Sequence, residues 1–151
     1  KTEVYQELIE RGVETGKQVI MLIPEISLTF QTVRRFYERF GERVSVLHSR
    51  LSAGERYDQY VRAREGAIDI MIGPRSALFT PFERLGFIII DEEQEHTYKS
   101  DQNPKYHTRD IARFRCAYNN ALMLLASATP SLTSYYKAVS GVYSLVKLTK
   151  R

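Results

Sequence analysis

Cysteine and long apolar runs are the features that this sequence has least of. The 151 residues contain a single cysteine, Cys116, so an internal disulfide framework is excluded and a reducing compartment is expected. No apolar run approaches the length of about 20 residues that a membrane helix needs, and no signal-peptide pattern opens the chain. We therefore expect a cytoplasmic protein that does not interact with membranes.

The sequence does contain enough apolar material for one ordinary globular domain, because 43% of its residues are hydrophobic. The formal net charge of +4 permits nucleic-acid binding without demonstrating it. The chain starts with Lys1 rather than methionine, so we expect an excerpt from a longer protein.

Short apolar runs alternate with segments of helical spacing along the chain. Strands are predicted at 18–24, 44–47, 68–72, 87–90 and 121–126, with a further one at 142–148. Helices are predicted at 1–15, 25–41 and 51–65, and from about residues 109 and 131 onward. This alternation predicts an α/β fold with a mostly parallel sheet and helices on both faces.

Two of the predicted helices are marked by apolar residues at helical spacing. The stripe on the 25–41 helix is expected to face the core and consists of Ile26, Phe30, Val33, Tyr37 and Phe40. The later helix is marked by Ile111, Phe114 and Tyr118.

The most informative stretch is the unbroken apolar run at 87–90, which three carboxylates follow directly. Such a run is typical of a strand buried on both faces, and open α/β sheets bind ligands at the C-terminal ends of their strands. Asp91 is our candidate for holding a hydrated Mg²⁺ beside nucleotide phosphates, and Glu92 for orienting or deprotonating the attacking water. Ser127 and Thr129, after the next strand, could hydrogen-bond these carboxylates. The alternative is a core strand that ends in a solvated acidic turn.

Lys1 and Thr2 stand at the start of the first predicted helix. A P-loop ends in Gly-Lys-Ser/Thr at a helix N-terminus, where the lysine reaches the β- and γ-phosphates and the hydroxyl ligates Mg²⁺. The glycines of such a loop are not in this sequence, and an exposed first turn is the alternative.

Two polar loops have residue types that suit contact with nucleic acid. Arg75 and Ser76 follow a glycine and a proline at a strand end, a combination that can contact phosphate, although an ordinary βα turn has the same composition. The loop at 95–110 interleaves aromatic and basic residues, as in proteins that bind single strands by stacking and charge. Its candidate contact residues are Tyr98, Lys99, Tyr106, His107 and Arg109.

Six motifs in register resemble the first motor lobe of superfamily 2 helicases, and more specifically the PriA (primosomal protein N′) family of replication-restart DNA helicases. They are 1–5 (the end of Walker A), 22–29 (motif Ia), 48–49 with 73–79 (motif Ib), 91–94 (Walker B), 98–110 (the aromatic-rich loop) and 127–130 (motif III). Gln94 departs from the family pattern, which has histidine at the fourth Walker B position. Its amide could still bridge the acids to motif III or to the loop, because an amide both donates and accepts.

The resemblance implies a RecA-like P-loop NTPase lobe over residues 1–151, an excerpt that starts inside the Walker A motif. The second motor lobe, the DNA-binding domains and the zinc-binding segment would lie elsewhere in the parent protein. ATP and Mg²⁺ are the implied cofactors, with Zn²⁺ only in that other part. The implied partners are single-stranded and forked DNA, the second lobe of the same chain, primosome proteins and single-strand-binding proteins.

The resemblance also implies roles for individual residues. Asp91, Glu92 and Gln94 would be catalytic, and Lys1 and Thr2 would bind ATP, with Thr2 and Asp91 on Mg²⁺. Ser127 and Thr129 would couple that site to DNA. The implied DNA contacts are Pro24, Thr29, Arg75, Ser76, Tyr98, Lys99, Tyr106, His107 and Arg109.

The implied activity of the parent is ATP-dependent DNA translocation and unwinding at stalled forks, with assembly of the primosome, and the isolated excerpt would be inactive. Two alternatives stay open. Another superfamily 2 motor, an RNA helicase or a restriction-type translocase, would be stimulated by other nucleic acids. A catalytically silent nucleic-acid-binding scaffold would function without ATP.

Overall fold

The computed structural model describes residues 1–148 and has a five-stranded, wholly parallel sheet in the order β2-β3-β1-β4-β5. The strands are β1 (Gln18–Leu22), β2 (Val44–Val46), β3 (Ile70–Gly73), β4 (Leu85–Asp91) and β5 (Leu122–Ala126). The helices are α1 (Thr2–Glu14), α2 (Phe30–Phe40), α3 (Ala53–Arg64), α4 (Thr108–Asn119) and α5 (Leu132–Val139). The predicted α/β fold is confirmed.

Each face of the sheet supports a separate apolar core, because alternate side chains of the central strands point to opposite faces. Val19, Met21 and Ile89 pack with the buried residues of α1 and α2. Ile20 and Ile88 pack with those of α3 and α4. Helices therefore cover both faces, and the ends of the central strands are fixed in space.

The predicted apolar stripe on α2 is wrong, because most of its residues do not lie on the face of the helix that packs against the sheet. Ile26, Phe30 and Tyr37 are 89%, 79% and 44% exposed, whereas Phe36 is fully buried and stacks on the half-buried Phe40. The helix begins only at Phe30, after a 3₁₀ turn that contains Ile26, and Thr29 caps it by accepting from the Thr32 amide. Rotation about the helix axis is thereby set by Phe36, which enters the core.

Of the three residues that marked α4, only Ile111 packs against the core. Phe114 and Tyr118 are 70% and 84% exposed, and the helix buries Thr108, Ala112 and Cys116 instead. These smaller side chains lie at i, i+4 and i+8, so they form one face and let the helix approach β4 closely.

The predicted strand at 142–148 is also wrong. After α5 the chain turns at Gly141, which has φ 81°, and residues 144–148 have no regular structure. Val142 and Val146 are 67% and 77% exposed, so the apolar alternation that suggested a strand packs against no sheet.

The longest helix, α1, has 13 residues. Within residues 1–148, no helix combines the length and the apolar character that crossing a membrane requires.

Candidate nucleotide and nucleic-acid site

The candidate site lies at the C-terminal edge of the sheet, where β4 and β5 end side by side. Asp91 pairs in register with Ala126, so the residues that follow these two strands begin next to each other. The Glu93 amide donates to the Ala126 backbone oxygen at 3.1 Å and holds the two segments together beyond the strands. Parallel strands thus bring the acidic segment to Ser127 and Thr129.

Lys1 lies against Asp91, the last residue of β4, and against Glu92, which follows it. Its Nζ is 2.6 Å from Glu92 Oε1 and 3.9 Å from Asp91 Oδ1. Hydrogen bonds from Lys1 and then from Gln94 lower the pKa of Glu92, so this carboxylate is ionised at neutral pH. The arrangement places one cation and two anions at the head of α1, where a polyphosphate and a metal ion would find complementary charges.

Two tyrosine hydroxyls hold Asp91 in place. Tyr5 donates to Asp91 Oδ1 at 2.7 Å, and Tyr98 donates to the Asp91 backbone oxygen at 2.7 Å. Burial, followed by the hydrogen bond to Asp91, raises the pKa of Tyr5, so it remains a donor. Sequence reasoning gave Tyr5 no role, although its position on α1 one turn after Lys1 is the signal that places it near the same site.

Gln94 bridges Glu92 to Ser127. Its amide nitrogen donates to Glu92 Oε2 at 2.9 Å, and its amide oxygen accepts from Ser127 Oγ at 2.5 Å. Ser127 Oγ in turn accepts from the Thr129 amide at 2.9 Å. Glu92 has φ 48°, a left-handed conformation that is uncommon outside glycine and that reverses the chain directly after β4. The chain of contacts joins the acid to the segment after β5.

The donors at this site suit a divalent metal ion shared with phosphates. Asp91 and Glu92 supply hard carboxylate oxygen atoms, which divalent ions such as Mg²⁺ prefer, and Thr2 follows Lys1 at the start of α1. Within residues 1–148, no group of three or more His, Cys, Asp or Glu side chains could hold a metal by itself.

Glu93 forms a buried cluster that sequence reasoning missed. Its side chain is 2% exposed and accepts from Arg109 Nη1 at 3.2 Å, from the Ser131 amide at 2.7 Å and from Ser134 Oγ at 3.0 Å. The carboxylate therefore binds the N-cap residue and the first turn of α5 as well as the first turn of α4. No separate signal for Glu93 is present in the sequence, because a carboxylate next to Asp91 and Glu92 looks the same there whether it is buried or exposed.

Arg75 contacts the loop that follows the acidic segment. Its Nη1 donates to the backbone oxygen of Thr97 at 3.2 Å and to that of Lys99. Its guanidinium lies 5.7 Å from the centre of the Tyr106 ring, which meets Phe79 edge-on at 5.6 Å. The loops after β3 and β4 thus form one surface.

The predicted nucleic-acid residues divide into accessible and inaccessible groups. Tyr98 is 1% exposed, and Arg109 is 12% exposed at its side chain and paired with Glu93, so neither presents a free surface in this arrangement. Pro24 is buried as well, and Ser76 is half-buried and accepts from Tyr60 through its backbone oxygen. The exposed or half-buried members are Thr29, Arg75, Lys99, Tyr106 and His107.

His107 has a local structural contact. Its Nδ1 accepts from the Arg109 amide at 3.2 Å and caps α4. Burial, followed by the charge of Arg109, lowers the pKa of His107, so its imidazole is neutral at pH 7.

The family model of DEAD/DEAH box helicases matches residues 1–138. The chain belongs to this family. Membership implies ATP binding with a divalent metal, in agreement with the charges around Lys1 and Asp91.

Individual relatives show which members of the DEAD/DEAH box family this chain is similar to. It is 48% identical over 151 residues to replication restart protein PriA of Bacillus subtilis (strain 168) and 49% identical over 152 residues to that of Chlamydia muridarum. These matches take in 100% of the chain but 19% and 20% of the relatives, so the chain spans about a fifth of their length. The resemblance to PriA helicases that the motifs predicted is confirmed.

A solved structure supports the fold of this helicase-family chain. The crystal structure of the Pyrococcus furiosus Hef helicase domain covers 94% of the chain with a TM-score of 0.58, while the chain covers 30% of that structure. The sequence identity is 16%, so the likeness concerns the arrangement of strands and helices alone.

Proposed function

We propose that the chain is the first motor lobe of an ATP-dependent DNA helicase that acts in replication restart, within a longer protein that includes a second lobe. The observation that carries the proposal is the line of contacts from Lys1 through Glu92 and Gln94 to Ser127. It joins a candidate phosphate-binding cation to a candidate catalytic acid and then to a neighbouring strand end. The PriA relatives supply the biological setting.

The roles at the nucleotide follow from charge and reach. Lys1 neutralises the β- and γ-phosphates, and Thr2 and Asp91 hold Mg²⁺. The metal supplies charge neutralisation when it is bound with ATP. Glu92, ionised beside Lys1, orients the hydrolytic water or takes its proton, which requires Lys1 to turn toward the phosphates. Gln94 keeps Glu92 in place, and Ser127 and Thr129 couple this site to the bound DNA.

DNA binds the surface formed by the loops after β1, β3 and β4. Arg75 and Lys99 provide cations, and the half-buried Tyr106 provides an aromatic face beside them. Thr29, exposed at the start of α2, offers a hydroxyl to the backbone of the strand. Single-stranded and forked DNA are the proposed substrates, with primosome and single-strand-binding proteins as partners in the cytoplasm. Zn²⁺ would belong to another part of the protein.

The test is the ATPase rate of the full-length protein with no nucleic acid, with RNA, with single-stranded DNA and with forked DNA. We expect DNA to raise the rate by about tenfold or more, most strongly with the fork. Stimulation by RNA alone would assign the protein to another branch of the superfamily. No hydrolysis under any condition, with ATP-independent DNA binding retained, would identify a silent scaffold.

A further inference from the structure

Arg75 connects the end of β3 to the segment at 97–106 at three points. Its guanidinium donates to the backbone oxygens of Thr97 and Lys99 and lies over the Tyr106 ring. The segment has an internal brace as well, because Lys99 and His107 form an antiparallel bridge. A single side chain from the end of β3, which β1 separates from β4 in the sheet, therefore holds both sides of this loop.

Tyr98 lies between the two residues that Arg75 binds. Its ring belongs to the core on the α3 and α4 side of the sheet, and its hydroxyl donates to the Asp91 backbone oxygen at 2.7 Å. The Tyr98 backbone oxygen accepts from the buried Thr108 hydroxyl at 2.7 Å. Tyr98, which is bonded to the Asp91 backbone oxygen, is thus flanked in the chain by the two residues whose backbone oxygens Arg75 binds.

We propose that Arg75 is a positioning residue of the ATPase site, which holds the loop so that Tyr98 stays on the backbone oxygen of Asp91. The inference rests on the proposed function, because it takes Asp91 as part of that site. A guanidinium suits the task, since its planar set of donors can serve two carbonyl oxygens and stack on a ring at once. A lysine keeps the charge but not this geometry.

Hydrogen exchange of the full-length protein without nucleotide or DNA tests the contact directly. The amides of Tyr98, Lys99 and Ser100 donate within the loop to Glu95, His96 and Tyr106, so they report its order. In Arg75→Lys and Arg75→Ala we expect these amides to exchange about tenfold faster or more. The matched control is Arg113→Ala, an exposed arginine on α4, which should leave them unchanged. Unchanged exchange in both Arg75 variants would overturn the proposal.

Binding of a fluorescent single-stranded DNA separates positioning from a phosphate contact. Arg75→Lys should bind within about threefold of the parent, because the charge is kept, while its loop exchanges faster. If Arg75 serves DNA alone, Arg75→Ala loses affinity and the loop exchange stays as in the parent. That result would also overturn the proposal.

A double-substitution cycle tests whether Arg75 acts through Tyr98. Tyr98→Phe removes only the hydroxyl, so adding Arg75→Lys to it should lower the DNA-stimulated ATPase rate no further. Losses that multiply would show that Arg75 acts by another route. If no variant and no parent hydrolyses ATP, the proposed function fails and the ATPase-site assignment fails with it. Faster loop exchange would in that case still establish the contact itself.

Discussion

Ser127 donates a 2.5 Å hydrogen bond to the amide oxygen of Gln94, and the same amide donates through its nitrogen to Glu92. The Gln94 side chain therefore links the end of β4 to the end of β5, because its amide oxygen accepts from Ser127 while its amide nitrogen donates to Glu92. Glutamine suits this position because its amide carries both functions and does not titrate. The histidine expected from the family pattern can supply the same pair of functions only as a neutral ring.

Substitutions of Gln94 test whether its bridge between Glu92 and Ser127 is needed for DNA-stimulated ATP hydrolysis. Gln94→His should keep the DNA-stimulated ATPase rate within a few-fold, because a neutral ring can donate to Glu92 and accept from Ser127. Gln94→Ala removes both contacts and should lower stimulation further. The measurement is the ATPase rate with and without single-stranded DNA. A large loss in Gln94→His would show that the network depends on the amide.

Glu92→Ala should abolish hydrolysis without abolishing ATP binding. A general base or a water-orienting group contributes about 100-fold or more to a rate, whereas Lys1 and Thr2 remain to bind phosphates and metal. Turnover and the binding of a fluorescent ATP analogue are measured in parallel. Glu83→Ala, an exposed acid before β4, is the control. Near-normal turnover in Glu92→Ala would remove Glu92 from catalysis.

Glu93→Ala should destabilise the fold strongly. It leaves the Arg109 guanidinium, 12% exposed at its side chain, without its carboxylate, and breaking such a pair costs about 3–5 kcal/mol. It also removes the acceptor for the amide of Ser131, the N-cap residue of α5. Urea unfolding followed by circular dichroism measures the change. Glu38→Ala breaks an exposed pair with Arg34 and should have little effect. Equal effects of the two substitutions would contradict the structural role of Glu93.

Cys116 should resist alkylation in the native protein. Burial raises the pKa of its thiol to about 11, so at pH 8 almost none of it is the reactive thiolate. Iodoacetamide should react about 100-fold more slowly than in urea, where the ordinary pKa of about 8.5 returns. The stability that this shift contributes is fully present below that ordinary pKa and is lost as the pH rises through about 11. Equal rates in the native and unfolded states would contradict the burial of the thiol.

The sequence was sufficient for the five strands of the sheet, although it also predicted a strand at 142–148 that does not form, and it was insufficient for the orientation of the helices. Apolar runs such as 87–90 can be satisfied only by burial on both faces, so their positions follow from composition. Helix α2 carries more apolar residues than one face can hold, and only the packing of Phe36 against the sheet decides which are covered. The strand order also depends on contacts between distant segments, such as that between β1 and β4.

The candidate site could be predicted in part for a similar reason. Asp91, Glu92 and Ser127 lie at or directly after the ends of strands, so parallel strands bring them to one edge. The contacts of Tyr5, Glu93 and Arg75 depend on side-chain directions that a linear pattern does not carry. Tyr98 shows the difference most clearly, because the same residue type that stacks on bases is here placed in the core.

Strand β5 has a consequence for handling the chain in isolation. Among the strands in residues 1–148, it pairs only with β4, and Leu122 is 56% exposed. Two copies related by a two-fold axis at this edge would pair their β5 strands in antiparallel fashion, because that axis makes identical edges run in opposite directions. The pair would form one continuous sheet of ten strands. Protein concentration is therefore a variable to control in any measurement on this chain alone.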